Sequence, residues 1–247
     1  GADDLERRLD DRAFHAASAP GSCVLLLGAF SLPLLAAIRW LYAACTAPRS
    51  GLDRRGRQLA LLAAAAPPLF VGFAFALKLA HWPLPELASW VVAWCIAGLW
   101  ASSGQRQPRL AQAPAADETA RVVHGVIAAA VLAFIAFHLV NHLFGLLGPQ
   151  AHAAVMTVGR KLYRLPAVEA MLVVLLLLQL SLGAWLAWRW SRQSMDGYRA
   201  VQVVTGVYLG FFVLTHMTSA LVSARLLQGM VTDWAWASGA PRGLLHD

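Results

Sequence analysis

Residues 121–147 read RVVHGVIAAAVLAFIAFHLVNHLFGLL. After Arg121 the stretch holds no Asp, Glu, Lys or Arg, and its only strongly polar side chains are His124, His138, Asn141 and His142. A helix needs about 20 predominantly apolar residues to cross the hydrocarbon core of a bilayer, so this run reads as a membrane span. Five further blocks read the same way, at about 22–46, 58–80, 86–102, 167–190 and 200–227, with 86–102 the shortest. None shows the period-two alternation of a membrane barrel strand. The expected fold is all-α: a polytopic membrane protein of about six transmembrane helices.

Composition agrees. The chain is 59% hydrophobic and 13% charged, whereas soluble domains average about half apolar and a quarter charged. Its mean hydropathy is +0.58. The net charge of +7 does not point to nucleic acid. The basic residues gather at block ends, as Arg49, Arg54, Arg55 and Arg57, or Arg160, Lys161 and Arg164. There they are expected to meet lipid headgroups, with the bilayer as partner. Trp40, Trp82, Trp100, Trp188 and Trp190 sit near the same ends, as in an aromatic belt. Cys23, Cys45 and Cys95 all fall in apolar blocks with no CxxC, and are expected as packed thiols.

The segment 103–120, SGQRQPRLAQAPAADETA, is polar and divides the chain. The expected organisation is a polar N-terminal segment at 1–21, without the short apolar core of a signal peptide. A three-helix unit at 22–102, the linker at 103–120, a second three-helix unit at 121–227 and a tail at 228–247 follow. In the first unit Pro67-Pro68 should kink the second span, because each proline lacks an amide donor and crowds the preceding turn.

The second unit carries the chemistry. Residues 121–138 and 199–216 each open with an arginine and end with a histidine 17 residues later. At 1.5 Å per residue each histidine lies about 26 Å along its helix. The two helices are separated by one span and so run in the same direction, which places His138 and His216 at one depth. A histidine within hydrocarbon is costly without a partner. Two at one depth suggest a shared one, and a haem iron held by an imidazole on each face is one answer. Gly206 and Gly210 before His216, and Gly183 in the span between, would let a flat ring approach backbone; GxxxG serves close helix packing equally well. Two other readings remain open on the residues alone. One is a bare metal ion with His142 as third ligand. The other is a pair of imidazoles bonded across helices to Thr215, Thr218, Asn141 or backbone.

These residues resemble the membrane cytochrome b subunit of succinate dehydrogenases and fumarate reductases, over about 121–227. In that family one helix carries an arginine, a Gly-containing apolar run, and a ligand histidine followed by Leu; here that is Arg121 to His138-Leu139. A later helix carries Gln-Arg-x-Ser/Thr-Gly and a histidine ten residues after the glycine; here Gln202-Val203-Val204-Thr205-Gly206 leads to His216. The resemblance implies a haem-binding bundle with one haem b on His138 and His216, and a quinone as electron partner. It also implies flavoprotein and iron–sulfur partner subunits, and an energy-transducing inner membrane, bacterial cytoplasmic or mitochondrial. Two departures stand out. Gln179 occupies the position four before Gly183 where the family has the ligand of a second haem, and Val203 replaces the arginine of the Gln-Arg pair. A fourth ligand-bearing helix has no counterpart.

Around the pair, His142 lies one turn beyond His138, placed for a haem propionate or a quinone carbonyl. Arg160 and Arg164, in a surface-lying stretch at 149–166, would lie on the same side and offer propionates basic company. His124 lies near the opposite edge. The chain has no nucleotide fingerprint and no cysteine cluster, so it is expected to act as one subunit of an oxidoreductase complex. The alternatives are a structural or assembly subunit that has lost the haem, and a transporter using the kinked second span.

Overall fold

The computed structural model describes residues 27–28, 31–46, 51–103, 116–234 and 236. The expected N-terminal segment, Cys23, Arg49, most of the 103–120 linker and nearly all of the tail beyond 234 lie outside the described residues. In chain order the elements are α1 (Ser31–Ala44), α2 (Gly51–Ala64), α3 (Ala66–Leu79), α4 (Glu86–Ser102) and α5 (Ala116–Leu143). After a 3₁₀ turn (Phe144–Leu147) come α6 (Pro149–Tyr163), α7 (Pro166–Trp190) and α8 (Gly197–Met217), which continues as a π-helix (Thr218–Leu227). No strand occurs among the described residues.

Three of these helices are long and apolar enough to span a membrane: Glu118–Leu147, Pro166–Trp190 and Gly197–Leu227. Very little of their surface is covered by protein. Only 6% of the most apolar window of Glu118–Leu147 is buried, and 17% of the other two. Leu132, Leu139, Val174 and Leu209 are among the large apolar side chains left exposed, as in a protein whose surroundings are hydrocarbon. The expectation of six spans narrows to these three, or to four if a bent pair counts as one. At 1.5 Å per residue, the 14 residues of α3 extend about 21 Å and the 17 of α4 about 26 Å, against a hydrocarbon core of about 30 Å.

The kink expected in the second span is a full break. Arg54–Ala64 and Ala66–Leu79 meet at 79°. Ala66 precedes a proline, which disfavours its α conformation, and the two prolines then occupy the first turn of α3, where a missing amide costs nothing. Past the corner, α3 runs against α8. The approach is close: a Cβ on Gly72 would stand 3.0 Å from the Thr215 methyl.

What holds the corner is a buried arginine. Arg57 was expected at the headgroups; it is 3% exposed. Its Nη1 donates to the carbonyls of Ala43 (3.3 Å) and Gln193 (3.0 Å), and its Nη2 to that of Ser191 (2.6 Å). These carbonyls lie at the C-terminal ends of α1 and α7, where the last carbonyls lack helical partners and the dipole is negative. Gln58 Nε2 donates to Ser191 Oγ at 3.1 Å, and Met195 N–H to the Ala44 carbonyl at 2.8 Å. A core of Trp40, Ala44, Leu61, Ala187 and Val204 surrounds the junction. Trp40 is thus a core residue, not part of an interfacial belt. Arg55 serves the end of α4 in the same way, donating to the Trp100 carbonyl and Ser103 Oγ and lying 5.0 Å from the Trp100 ring. Cys45, in the turn after α1, and Cys95, on α4, were expected as packed thiols; both are exposed.

Arg57→Ala should lower unfolding stability by about 3 kcal/mol, since it orphans charged-donor hydrogen bonds at two helix ends. Arg57→Lys should recover only part, because an ammonium lacks the planar fork that reaches several carbonyls at once. Thermal unfolding in detergent checks both; a lysine variant as stable as the native protein would assign the effect to lost charge alone.

Candidate functional site

The histidine helices do as their spacing predicts. α5 and α8 each pack against α7 more than on each other, and between them the rings of His138 and His216 lie 6.0 Å apart, centre to centre. A transition metal binds imidazole nitrogen at ~2 Å, so two ligands on one metal hold their ring centres about 6 Å apart once the ring radii are added. Each ring is backed by an aromatic four residues earlier on its own helix. Phe134 stacks on His138 at 5.8 Å and Phe212 on His216 at 6.1 Å. The repeated Phe-x-x-x-His is visible in the sequence and went unread there.

The cross-helix hydrogen bonds that would make these histidines self-sufficient are not the ones formed. Thr215 and Thr218 turn their hydroxyls onto carbonyls of their own helix, at Phe211 (3.0 Å) and Leu214 (2.8 Å). Asn141 is 3% exposed and its Nδ2 has no partner; neither has the buried Nδ1 of His138. Among the described residues no three His, Cys, Asp or Glu side chains converge on a metal-ion site, which removes support for a bare ion with His142 as third ligand. The two imidazoles thus face each other across the gap between α5 and α8, and one of them carries a buried nitrogen without a partner.

His142 lies beside His138, ring centres 4.5 Å apart. The row continues to His152 of α6, 5.4 Å from His142. His152 is 2% exposed and its Nε2 has no partner. His152 is not among the residues that the sequence singles out, because its burial depends on how α6 folds back after the Gly148-Pro149 turn. Gly148 takes φ 106°, which an L side chain resists, and Pro149 then opens α6.

A strap closes the end of this row. The chain leaving the π-helix returns over α6. Arg160 donates through Nη2 to the Thr232 carbonyl, and Arg164 Nη2 donates to Thr232 Oγ1 at 2.9 Å. Trp234 then packs 5.2 Å from the His152 ring and sits on Gly145, where a Cβ would stand 2.6 Å from its indole. Glu169 and Arg225 form a two-pronged ion pair that ties the start of α7 to the π-helix. Burial first, and then the cations of Arg160 and Arg225, lower the Arg164 guanidinium from its usual value.

Other expected site residues are not brought to the pair. Arg121 is exposed near the far end of α5, and exposed Gln202 accepts a hydrogen bond from Arg199 Nη1 (2.7 Å) in the second turn of α8. Gly206 borders open space, and Gly210 would meet Leu180 only at ordinary contact distance. Gly183 is tight, but against His124, whose ring would stand 3.0 Å from an added Cβ. The three glycines therefore do not form a common cradle, because they point around their helices rather than towards the gap between α5 and α8. His124 instead pairs with Gln179, Nε2 to Nε2 at 3.2 Å. Gln179, the position at which the chain departs from the family pattern, thus has a local partner.

Gly145→Val should unseat Trp234 and open the end of the row. Diethylpyrocarbonate labelling, mapped by mass spectrometry, should find His152 protected in the native protein and modified in the variant; unchanged protection would show that the strap does not cover it. Comparison of the chain with protein-family models, with curated proteins and with solved structures returns no match.

Proposed function

We propose that this chain is the membrane cytochrome subunit of a respiratory oxidoreductase, binding one haem b between His138 and His216 and exchanging electrons with a quinone or a partner redox subunit. The observation that carries this reading is the pair itself: two imidazoles from two membrane-length helices, 6.0 Å apart and without the cross-helix hydrogen bonds that would otherwise satisfy them. Its support from sequence is the resemblance over 121–227. In this reading α1, the α2–α3 pair and α4 complete a bundle of about six membrane helices, and α3 supplies the wall that the family draws from a further helix.

When bound, haem b supplies a one-electron carrier. The chain's own residues do the rest. His138 and His216 are the residues that would hold the iron. Phe134 and Phe212 fix the ring planes by stacking, which limits the rotation each imidazole can make. Arg160 sets a cationic guanidinium near His142, with Arg164 close to Arg160, where propionate carboxylates would find charge-assisted hydrogen bonds. The strap at Thr232 and Trp234 covers the row where it meets the membrane edge and excludes water. Flavin and iron–sulfur chemistry comes from partner subunits in an energy-transducing inner membrane, so this chain transfers electrons and does not itself act on the soluble substrate.

A reduced-minus-oxidised visible spectrum of the purified protein tests the reading. The expected result is a b-type α band of one haem per chain. His138→Ala and His216→Ala should each abolish low-spin ligation, and His142→Ala should preserve it. Absence of the band in the native protein favours a structural or assembly subunit, and survival of low-spin ligation in either ligand variant reassigns the axial position.

A further inference from the structure

The strap over the histidine row is held by two cations that lack a counter-ion. Arg160 donates through Nη2 to the Thr232 carbonyl, and Arg164 donates through Nη2 to Thr232 Oγ1 at 2.9 Å. Both acceptors are neutral. In each guanidinium the Nε–H shares an edge with that Nη2–H, and by such an edge arginine grips a carboxylate or phosphate in two places. Both Nε atoms are shielded from solvent, and neither has a partner. Each edge is therefore half used, although a buried donor that carries charge is costly to leave unpaired.

The surroundings supply no anion to complete it. No Asp or Glu occurs from 119 to 168. Glu169 is committed to both arms of Arg225. Asp233, next to Thr232, accepts from the Trp236 N–H at 3.1 Å. Among the described residues neither Arg160 nor Arg164 has an ion-pair partner. Arg164 stands close enough to Arg160 and Arg225 to feel both cations. Around the cluster, Lys161 of α6 is exposed, and so are the apolar Val158, Leu162 and Leu165. Uncompensated cations beside bare hydrocarbon, at the end of membrane-length helices, match a phospholipid where its phosphate meets its acyl chains.

With the strap down, the shielded Nε atoms are out of an anion's reach. The strap leaves the π-helix at Gly229, whose φ of 62° suits glycine and where an added Cβ would meet open space. We propose that Arg160 and Arg164 form a phosphate site for an anionic phospholipid, and that Thr232 occupies its donors in the lipid's absence. Phosphate and strap compete for the same Nη2 donors. A phosphate oxygen makes charge-assisted hydrogen bonds, about twice as strong as those to neutral acceptors, and it takes up the unpartnered Nε–H as well. Lipid binding therefore frees Thr232 and loosens the cover that Trp234 places on His152. The site does not depend on the haem reading. A guanidinium has five N–H donors, so the Nε–Nη2 edge leaves Nη1 for a propionate.

The test places the full chain in phosphatidylcholine nanodiscs with and without phosphatidylglycerol and counts retained lipid by native mass spectrometry. One phosphatidylglycerol per chain should be retained, and diethylpyrocarbonate modification of His152 should rise with it. Arg164→Gln should reduce retention about tenfold, one decade of affinity. Arg192→Gln, over Trp188 at the opposite edge, should leave it unchanged. Thr232 gives a readout that a purely structural role would not move. Thr232→Ala removes the hydroxyl acceptor and should raise retention, whereas Thr232→Glu supplies a tethered carboxylate and should lower it. Equal retention of phosphatidylcholine, equal effects of the two arginine variants, or indifference to Thr232→Glu overturns the proposal. So does displacement of the lipid by inorganic phosphate, which would make the ligand a soluble anion. His138→Ala separates this claim from the haem. Retention should be the same in that variant as in the native chain, and retention that appears only once haem is lost gives both arginines to the propionates and overturns the lipid site. Absence of the α band with retention intact sinks the haem reading alone.

Discussion

The arrangement of this protein hangs on one buried guanidinium. Helix ends in apolar surroundings expose carbonyls that water cannot reach, and each such group costs free energy until it finds a donor. Arg57 answers that need for two helices at once, bonding carbonyls at the ends of α1 and α7. In doing so it fastens α2 to the start of the α7–α8 connection. The break at Ala65 then directs α3 along α8, and the proline corner lands beside His216. The packing of α3 along α8 and the core around Trp40 then complete the placement of the first half relative to the histidines.

The opposite end of the bundle solves a different problem. Four imidazoles, His216, His138, His142 and His152, follow one another from between α5 and α8 towards α6. Such a row is stable only where donors and acceptors are shared or a ligand completes them. Trp234 on Gly145 and the Arg160 and Arg164 contacts to Thr232 cover the outer end. The π-helix that follows α8 belongs to the same device. A wider helical turn is uncommon and often marks a functional position; here it begins two residues after His216 and carries Arg225 to Glu169.

Pattern and spacing carried a good part of this. The membrane-length helices α5, α7 and α8 follow from uninterrupted apolar runs, and the common depth of His138 and His216 follows from equal offsets on parallel spans. Charge position misled where burial decided the outcome. Arg57 and Trp40 look like interfacial residues by their place at block ends, yet both are core. The glycines Gly183, Gly206 and Gly210 look like a cradle in sequence, yet they point to different neighbours, because a helical offset says which residues share a face only once the face is known. His152 lay beyond reach for the same reason. Its burial comes from the fold of α6 back onto α5: the Gly148-Pro149 turn marks where the chain reverses, but not which residue of α6 meets His142.

By itself, then, the sequence determined what short-range chemistry can decide: which runs suit hydrocarbon, where prolines end a helix, and how far along its helix each histidine sits. Only the tertiary structure decided which imidazoles meet, which arginine is buried, and that α3 walls one side of His216. Those outcomes depend on contacts between residues far apart in the chain. Arg57 and Ser191 are 134 residues apart, and nothing in the residues near either one announces the other.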